Sequence, residues 1–252
     1  MNRALKRVLV FGATSAIAQA ALRKLVTHGS SVYCVGRDRA RFEALLADLR
    51  IRGGPNRIIA GEIADLLDSA RHPTLFAAAE ARLGGLDAVL IAHGSLPDQE
   101  RCESTADAAL AAISVNAMSV VSLLTIAANI FEPRGRGVIA AITSIAGDRG
   151  RRPNYVYGSA KSLVSTFLHG LRMRLESKGV SIIDIKPGFV RTPMTAHLPQ
   201  EGWLWTNPAP VGATIARVME RRSGVVYVPW FWYWIMLIVR HIPARLFLRL
   251  RF

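Results

Sequence analysis

Arg7-Val8-Leu9-Val10-Phe11-Gly12-Ala13-Thr14-Ser15-Ala16-Ile17-Ala18 reads as a β-strand, a tight turn and the start of a helix. The first five residues form a short apolar run, Gly12 permits a turn, and Ile17, Ala21 and Leu25 then recur on one helical face. Such a turn presents backbone N–H groups and the positive end of a helix dipole to a pyrophosphate. Small residues at 16 and 18 let the backbone approach ligand and strand. Glycine is expected at both, and alanine stands at both. The methyl at 18 suits a helix packed on a strand, whereas that at 16 narrows the phosphate approach. An ordinary strand-to-helix turn is the bland alternative.

The alternation continues outward from this unit. Strands are predicted at 7–12, 31–35, 57–61, 86–92, 137–143, 180–186 and 225–228, and helices at 15–28, 39–49, 74–83, 106–131, 154–177 and 208–221. Strands joined by helices form a parallel sheet covered on both faces, so the fold class is α/β, a doubly wound, Rossmann-type, seven-stranded parallel sheet. A chain of 252 residues without a Ser/Gly/Pro-rich linker or internal repeat fits one such domain, 1–228, followed by an aromatic and basic segment, 229–252.

The two cysteines, Cys34 in the second strand pattern and Cys102 in a polar loop, have no metal-ligand spacing and suggest no disulfide framework, which fits a reducing compartment. Arg3, Lys6 and Arg7 precede an apolar run too short for a secretory signal.

Tyr157-Gly158-Ser159-Ala160-Lys161 sets a phenol and an ammonium four residues apart on one helix face. Free tyrosine and lysine ionise near pH ~10 and ~10.4, so neither is a neutral-pH acid or base without help. An ammonium one turn away is expected to stabilise phenolate and lower the tyrosine pKa. Ser144, thirteen residues upstream at the end of an apolar strand, offers a hydroxyl to polarise a carbonyl. Two surface helix residues would show the same Tyr-x-x-x-Lys spacing.

Gly12-x-x-x-Ala16-x-Ala18, Asn116, Ser144, Tyr157/Lys161 and Pro187-Gly188 together, in this order, resemble the short-chain dehydrogenase/reductase family over nearly the whole chain. The resemblance implies an NAD(P)-dependent enzyme that moves a hydride between nicotinamide and a ketone. It implies Tyr157 as general acid, Ser144 as the donor that orients the carbonyl, and Lys161 as the group that holds the nicotinamide ribose and lowers the tyrosine pKa. Asn116 would kink its helix and hold a water that relays protons to Lys161; a helix amide satisfied locally is its alternative. Gly12, Thr14, Ser15, Ala16, Ile17, Arg37, Asp65, Ala92, Gly94, Pro187, Gly188, Val190 and Thr192 would bind cofactor together with Tyr157 and Lys161, Asp65 at the adenine edge and Thr192 at the carboxamide. Residues about 189–207 would hold the substrate lid, from 193 onward. A homodimer or homotetramer is implied as well.

The second strand ends Cys34-Val35-Gly36-Arg37-Asp38, with Gly36 where an acid would select NADH. Arg37 can pair with a 2′-phosphate and stack on adenine, so NADP(H) is preferred, with NAD(H) the alternative and Asp38 the reason for it. Arg37 could equally be a solvated loop charge. Ala92-His93-Gly94 stands where the family usually has Asn-Ala-Gly, and His93 is read as structural.

All five tryptophans lie between 203 and 234, and Pro229-Trp230-Phe231-Trp232-Tyr233-Trp234-Ile235-Met236-Leu237-Ile238-Val239-Arg240 is too apolar for an exposed tail. It is also too short to span a bilayer, which takes roughly 20 apolar residues. Trp and Tyr favour the headgroup level, with Arg240, Arg245, Arg249 and Arg251 reaching phosphates while Leu246, Phe247 and Leu250 sink inward. An in-plane anchor on an anionic membrane surface is expected, peripheral to the inner face of the membrane of a cytoplasmic protein; the alternative is packing on the subunit or a dimer contact. The net charge of +14 agrees with an acidic partner. No nucleic-acid module is recognisable, so nucleic acid is set aside.

Tyr155–Lys161, Lys186–Thr195, Val226–Trp232 and His93–Gln99 further resemble bacterial reductases similar to the decaprenylphosphoryl-ribose 2-epimerase reductase subunit. That resemblance implies a lipid-linked ketone, a polyprenyl-phosphate keto-sugar, supplied by a flavin oxidase partner. A ketoreductase of long-chain acyl or sphingoid-type ketones and a non-catalytic cofactor-binding scaffold are the other readings.

Overall fold

The computed structural model describes residues 5–221 and 224–249, so Arg3, Leu250 and Arg251 lie outside the described residues. The strands are β1 (Arg7–Phe11), β2 (Ser31–Gly36), β3 (Ile59–Ile63), β4 (Ala88–Ile91), β5 (Gly137–Ile142), β6 (Val180–Pro187), β7 (Phe189–Val190), β8 (Trp205–Thr206) and β9 (Val225–Val228). The helices are α1 (Ala16–Thr27), α2 (Arg39–Gly53), α3 (His72–Leu83), α4 (Gln99–Ser104), α5 (Ala106–Ile113), α6 (Ser119–Phe131), α7 (Tyr155–Leu175), α8 (Pro208–Arg221), α9 (Trp232–His241) and α10 (Ala244–Phe247).

Seven strands make one parallel sheet in the order β3-β2-β1-β4-β5-β6-β9. Successive side chains of a strand face opposite ways, so each central strand serves two cores. Val8 and Val10 pack with Leu22 and Leu25 of α1, Leu45 and Leu49 of α2, and Ile215 and Met219 of α8. Leu9 and Phe11 pack on the other face with Leu75 and Phe76 of α3, Leu123 and Leu124 of α6, and Leu168 and Leu171 of α7. The strand order reverses at β1, which pairs with both β2 and β4. A crevice therefore opens beyond the carboxyl ends of β1 and β4, where doubly wound sheets bind ligands.

The third strand starts two residues later than expected, the fourth is shorter, and α3 begins at His72. The expected single helix over 106–131 is broken by a π-turn at Ser114–Met118, around Asn116, where the family resemblance implied a kink. By length and composition this run could cross a membrane, yet Leu123, Leu124 and Phe131 are buried on the sheet. Cys102 corrects another expectation: it lies on α4, buried with Ala112 and Val156, because α4 folds the polar segment onto α5 and α7.

The lid region forms a parallel pair, β7 with β8, around a 3-10 turn at Pro193–Thr195. The tail packs on the domain. Trp232 and Met236, one helical turn apart on α9, are buried against Ile145, and Arg149 donates to the carbonyls of Val239 at 2.6 Å and Ile242 at 2.7 Å while its guanidinium covers the Phe247 ring.

Candidate active site

Gly12 ends β1 with φ of +72°, and a Cβ there would lie 2.5 Å from the His93 backbone nitrogen. Glycine is thus required twice, for the left-handed turn and for close approach. Ser15 caps α1 by accepting from the Ala18 nitrogen at 3.3 Å, which leaves Ala16 and Ile17 in the first turn. Thr14 packs its side chain on Gly36 and offers its carbonyl to Gln19 at 3.0 Å. At the end of β2, Arg37 is exposed, while Asp38 caps α2 by accepting from the Arg41 nitrogen at 3.0 Å. Asp65 is exposed beyond β3 and accepts from the Leu67 nitrogen at 3.0 Å. Ala92 is buried, and Gly94 lies so near Asn116 and Lys161 that a Cβ would come 2.7 Å from Asn116 Oδ1 and 3.4 Å from Lys161 Nζ.

Ser144 follows β5 in extended conformation and caps a 3-10 turn, its Oγ accepting from the Ala146 nitrogen at 3.1 Å. Tyr157 and Lys161 project from the first turns of α7. The Tyr157 phenol faces Ser144, whose hydroxyl acts to lower its pKa. Lys161 is buried, donates to the Ile142 carbonyl at 3.1 Å, and holds its Nζ 5.6 Å from the centre of the Tyr157 ring. Asn116, fully buried in the π-turn, donates to the Ala112 carbonyl at 3.0 Å and accepts from the Ser95 nitrogen at 3.0 Å. Its amide is therefore satisfied partly within its helix and partly across to the loop after β4.

Electrostatics correct one expectation. Burial pushes the Tyr157 phenol up to about 12, with the Ser144 hydroxyl acting in the opposite direction. The same burial brings Lys161 down to about 8, opposed by Asp184. Lysine was expected to lower the tyrosine pKa, but burial acts more strongly in the other direction, and the ammonium is engaged by the Ile142 carbonyl. Tyr157 keeps its proton at neutral pH and is ready to donate it.

The short chain dehydrogenase family model matches residues 6–202. The chain belongs to this family. It is 34% identical over 223 residues to an uncharacterized oxidoreductase of Mycobacterium tuberculosis, covering 88% of both chains. It is also 31% identical over 246 residues to an uncharacterized oxidoreductase of Streptomyces coelicolor, covering 97% of this chain and 96% of the relative. Among solved structures, levodione reductase superposes with a TM-score of 0.79 at 21% identity, over 88% of this chain and 95% of that one. A variant actinorhodin polyketide ketoreductase solved with NADPH gives 0.78 at 21% identity, over 90% and 97%. The chain is an NAD(P)-dependent oxidoreductase.

For this short-chain dehydrogenase, the crevice fits a dinucleotide: glycine stands at both close approaches, 12 and 94, and a capped helix start faces the crevice. His93 lines it too. Ser119 Oγ donates to the Val115 carbonyl at 3.0 Å, so the 2.8 Å contact with His93 makes Nε2–H the donor and leaves Nδ1 a bare acceptor, buried and without a partner. Burial, Lys161 and His72 push this imidazole down to about 3, so it is neutral.

Gly188 donates its N–H to the Val228 carbonyl at 2.9 Å, aligning the Pro187-Gly188 turn with β9. The Val190 carbonyl accepts from Thr195 Oγ1 at 2.7 Å, and Thr195 Oγ1 also accepts from the Thr192 nitrogen at 3.1 Å. Thr192 thus closes the start of the lid.

The sequence reading missed a buried charge network beneath Ser144. Lys186 Nζ lies 2.5 Å from Asp148 Oδ1 and 3.6 Å from Asp184 Oδ2. The Tyr227 hydroxyl donates to Asp148 Oδ2 at 2.7 Å, and Thr143 donates to Asp184. Asp184 and Lys186, two apart in an otherwise apolar strand, were its visible signal.

Proposed function

We propose that the chain reduces a ketone with NADPH, acting on a lipid-linked or otherwise hydrophobic substrate such as a polyprenyl-phosphate keto-sugar. The observation that carries the reading is a protonated Tyr157 facing Ser144, with Lys161 one turn along α7 and its Nζ 5.6 Å from the tyrosine ring centre. Gly12, Thr14, Ser15, Ala16 and Ile17 hold the pyrophosphate end, Arg37 and Asp65 the adenosine end, and Ala92, Gly94, Pro187, Gly188, Val190 and Thr192 the nicotinamide end. NADPH supplies the hydride. Ser144 donates to the substrate oxygen and orients it, and Tyr157 delivers its proton there as alkoxide charge develops. Lys161 supports the phenolate that results, and Asn116, fixed to Ser95, keeps its polar group beside the lysine.

An exposed Arg37 and an Asp38 engaged in capping support NADPH over NADH. Exposed apolar residues on neighbouring helices, Leu110, Met118, Leu163 and Met173, support a homodimer or homotetramer. The lipid-linked substrate rests on the sequence resemblance, which also supports a flavin oxidase as the enzyme that supplies the ketone.

Membrane association is part of the reading. Trp203 of the lid and Trp230, Trp234 and Ile238 of the tail are more than half exposed, and Trp203 contacts Phe231 with ring centres 5.4 Å apart. Arg240, Arg245 and Arg249 accompany them, and no acidic residue follows Glu220. Aromatic side chains beside unopposed arginines suit an anionic bilayer. Because Trp232 and Met236 are committed to the domain, the exposed residues make a docking face that is part of the fold.

Two measurements test this. Tyr157→Phe is expected to lower NADPH-dependent ketone reduction by about 100-fold or more while NADPH binding stays within about twofold; undiminished turnover refutes the acid. Trp230→Gln with Trp234→Gln is expected to abolish sedimentation with phosphatidylglycerol-containing vesicles, and equal sedimentation of variant and parent refutes the docking face.

A further inference from the structure

Arg151 is a half-buried cation that has no side-chain partner among the described residues. It lies between Ser144 and Tyr157, where the chain turns into α7. Its Nε is sealed from solvent without a hydrogen-bond acceptor, and none of the ion pairs among the described residues includes it. The two cations buried in the core are answered, Lys186 between two aspartates and Lys161 on a carbonyl, whereas Arg172, far along α7, shares with Arg151 an enclosed Nε without an acceptor. Burial lowers the Arg151 pKa, and the one charge acting against this is Asp148. That carboxylate is already taken, one oxygen by Lys186 at 2.5 Å and the other by Tyr227 at 2.7 Å. A half-buried guanidinium whose Nε is sealed and unpaired costs desolvation energy that an incoming anion returns.

Arg151 also lines a cavity of about 910 Å³, together with exposed Arg152, Asn154, His197, Phe189 and Leu198. The cavity wall contains carboxylates too, Asp98, Glu100 and Glu103. Asp98 is committed to the Arg101 nitrogen at 3.2 Å and Glu103 to Gln99 at 3.1 Å, and none of the three acts on Arg151. Basic residues before α7, acids on α4 and apolar side chains from the lid give this cavity an anion-accepting end within an otherwise mixed wall.

We propose that Arg151, assisted by Arg152, is the subsite for an anionic oxygen group, phosphate or carboxylate, carried by the same molecule whose ketone is reduced. A guanidinium presents paired N–H donors that match such a group in plane. The proposal rests on the reductase reading and narrows its substrate to anion-bearing ketones.

Binding to the NADPH-saturated chain tests it without relying on turnover, followed by calorimetry or tryptophan fluorescence. The probes are a keto-alkyl phosphate, the keto-alcohol of the same chain length, and inorganic phosphate. The keto-alkyl phosphate is expected to bind about 10- to 100-fold more tightly than the keto-alcohol, the range for a hydrogen bond to a charged group. Arg151→Gln should erase that advantage while leaving keto-alcohol and NADPH binding within about twofold, and Arg151→Lys should restore part of it. An unchanged preference in Arg151→Gln overturns the subsite. So does inorganic phosphate binding as tightly as the keto-alkyl phosphate, which would make free phosphate the ligand. Failure of the reductase reading looks different: the Arg151-dependent preference persists, but no ketone is turned over.

Discussion

The Trp232 indole lies against Gly188 so closely that a Cβ at 188 would come 1.9 Å from its Nε1. This contact joins α9 to the Pro187-Gly188 turn at the proposed nicotinamide end of the crevice. Gly188→Ala is therefore expected to push α9 off the domain, lowering both the thermal midpoint and the affinity for NADPH. Trp232→Ala removes the other partner and leaves a cavity among Ile145, Met236 and Phe189, at a cost of about 3–5 kcal/mol. Denaturant unfolding measures it; a Gly188→Ala chain with parental stability and cofactor affinity would show that the tail yields freely.

Lys186 holds two aspartates apart beneath Ser144. Its side chain is 9% exposed, and Asp148 and Asp184 are 3% and 4% exposed. Lys186→Met keeps the apolar stem but leaves two enclosed carboxylates facing each other, which is expected to destabilise the fold by about 3–5 kcal/mol. Urea unfolding at neutral pH checks the value.

His93 makes stability depend on acid. Its pKa falls from 6.5 to about 3 on folding, so between those values the unfolded chain binds more protons than the folded one. The contribution is complete above pH 6.5 and is lost as pH falls toward about 3. One such group gives a slope of up to about 1.4 kcal/mol per pH unit. His93→Ala should flatten the pH dependence of the denaturant midpoint below 6.5 relative to the parent chain; parallel curves would mean that His93 titrates normally in the fold.

The strands were legible where a short apolar run is closed by a turn residue, as Val8–Phe11 is by Gly12 and Val32–Val35 by Gly36. Ser144, Tyr157 and Lys161 were read as a set through the family resemblance; spacing alone showed only that Tyr157 and Lys161 share a helix face. The helix break at Asn116 was expected from the family resemblance alone, because apolar periodicity runs unbroken through Ala106–Phe131 and one extra residue in a turn leaves no mark on composition. The direction of the Tyr157 shift was not legible, because spacing shows a neighbouring ammonium but not the burial that outweighs it. Trp232 and Met236 follow the same logic: their four-residue spacing marks a shared helix face, but only the packed tail shows that Ile145 covers it.

Cofactor choice turns on Arg37 and Asp38 together. Arg37 is exposed at the end of β2, and Asp38 spends its Oδ1 on the Arg41 nitrogen. Replacing Arg37 by Glu puts a carboxylate where a 2′-phosphate is expected, and it can accept from a 2′-hydroxyl in its place. The NADPH-to-NADH ratio of kcat/KM is expected to fall by about tenfold or more, mainly through KM for NADPH. Asp38→Asn separates the two residues. Asparagine caps a helix as well as aspartate does, so this variant should keep its stability. If Asp38 only caps α2, the cofactor ratio also stays within about twofold of the parent. A large rise in NADPH preference in Asp38→Asn would instead mean that the carboxylate had been repelling the phosphate, and an Arg37→Glu chain with an unchanged ratio would mean that the arginine never reaches it.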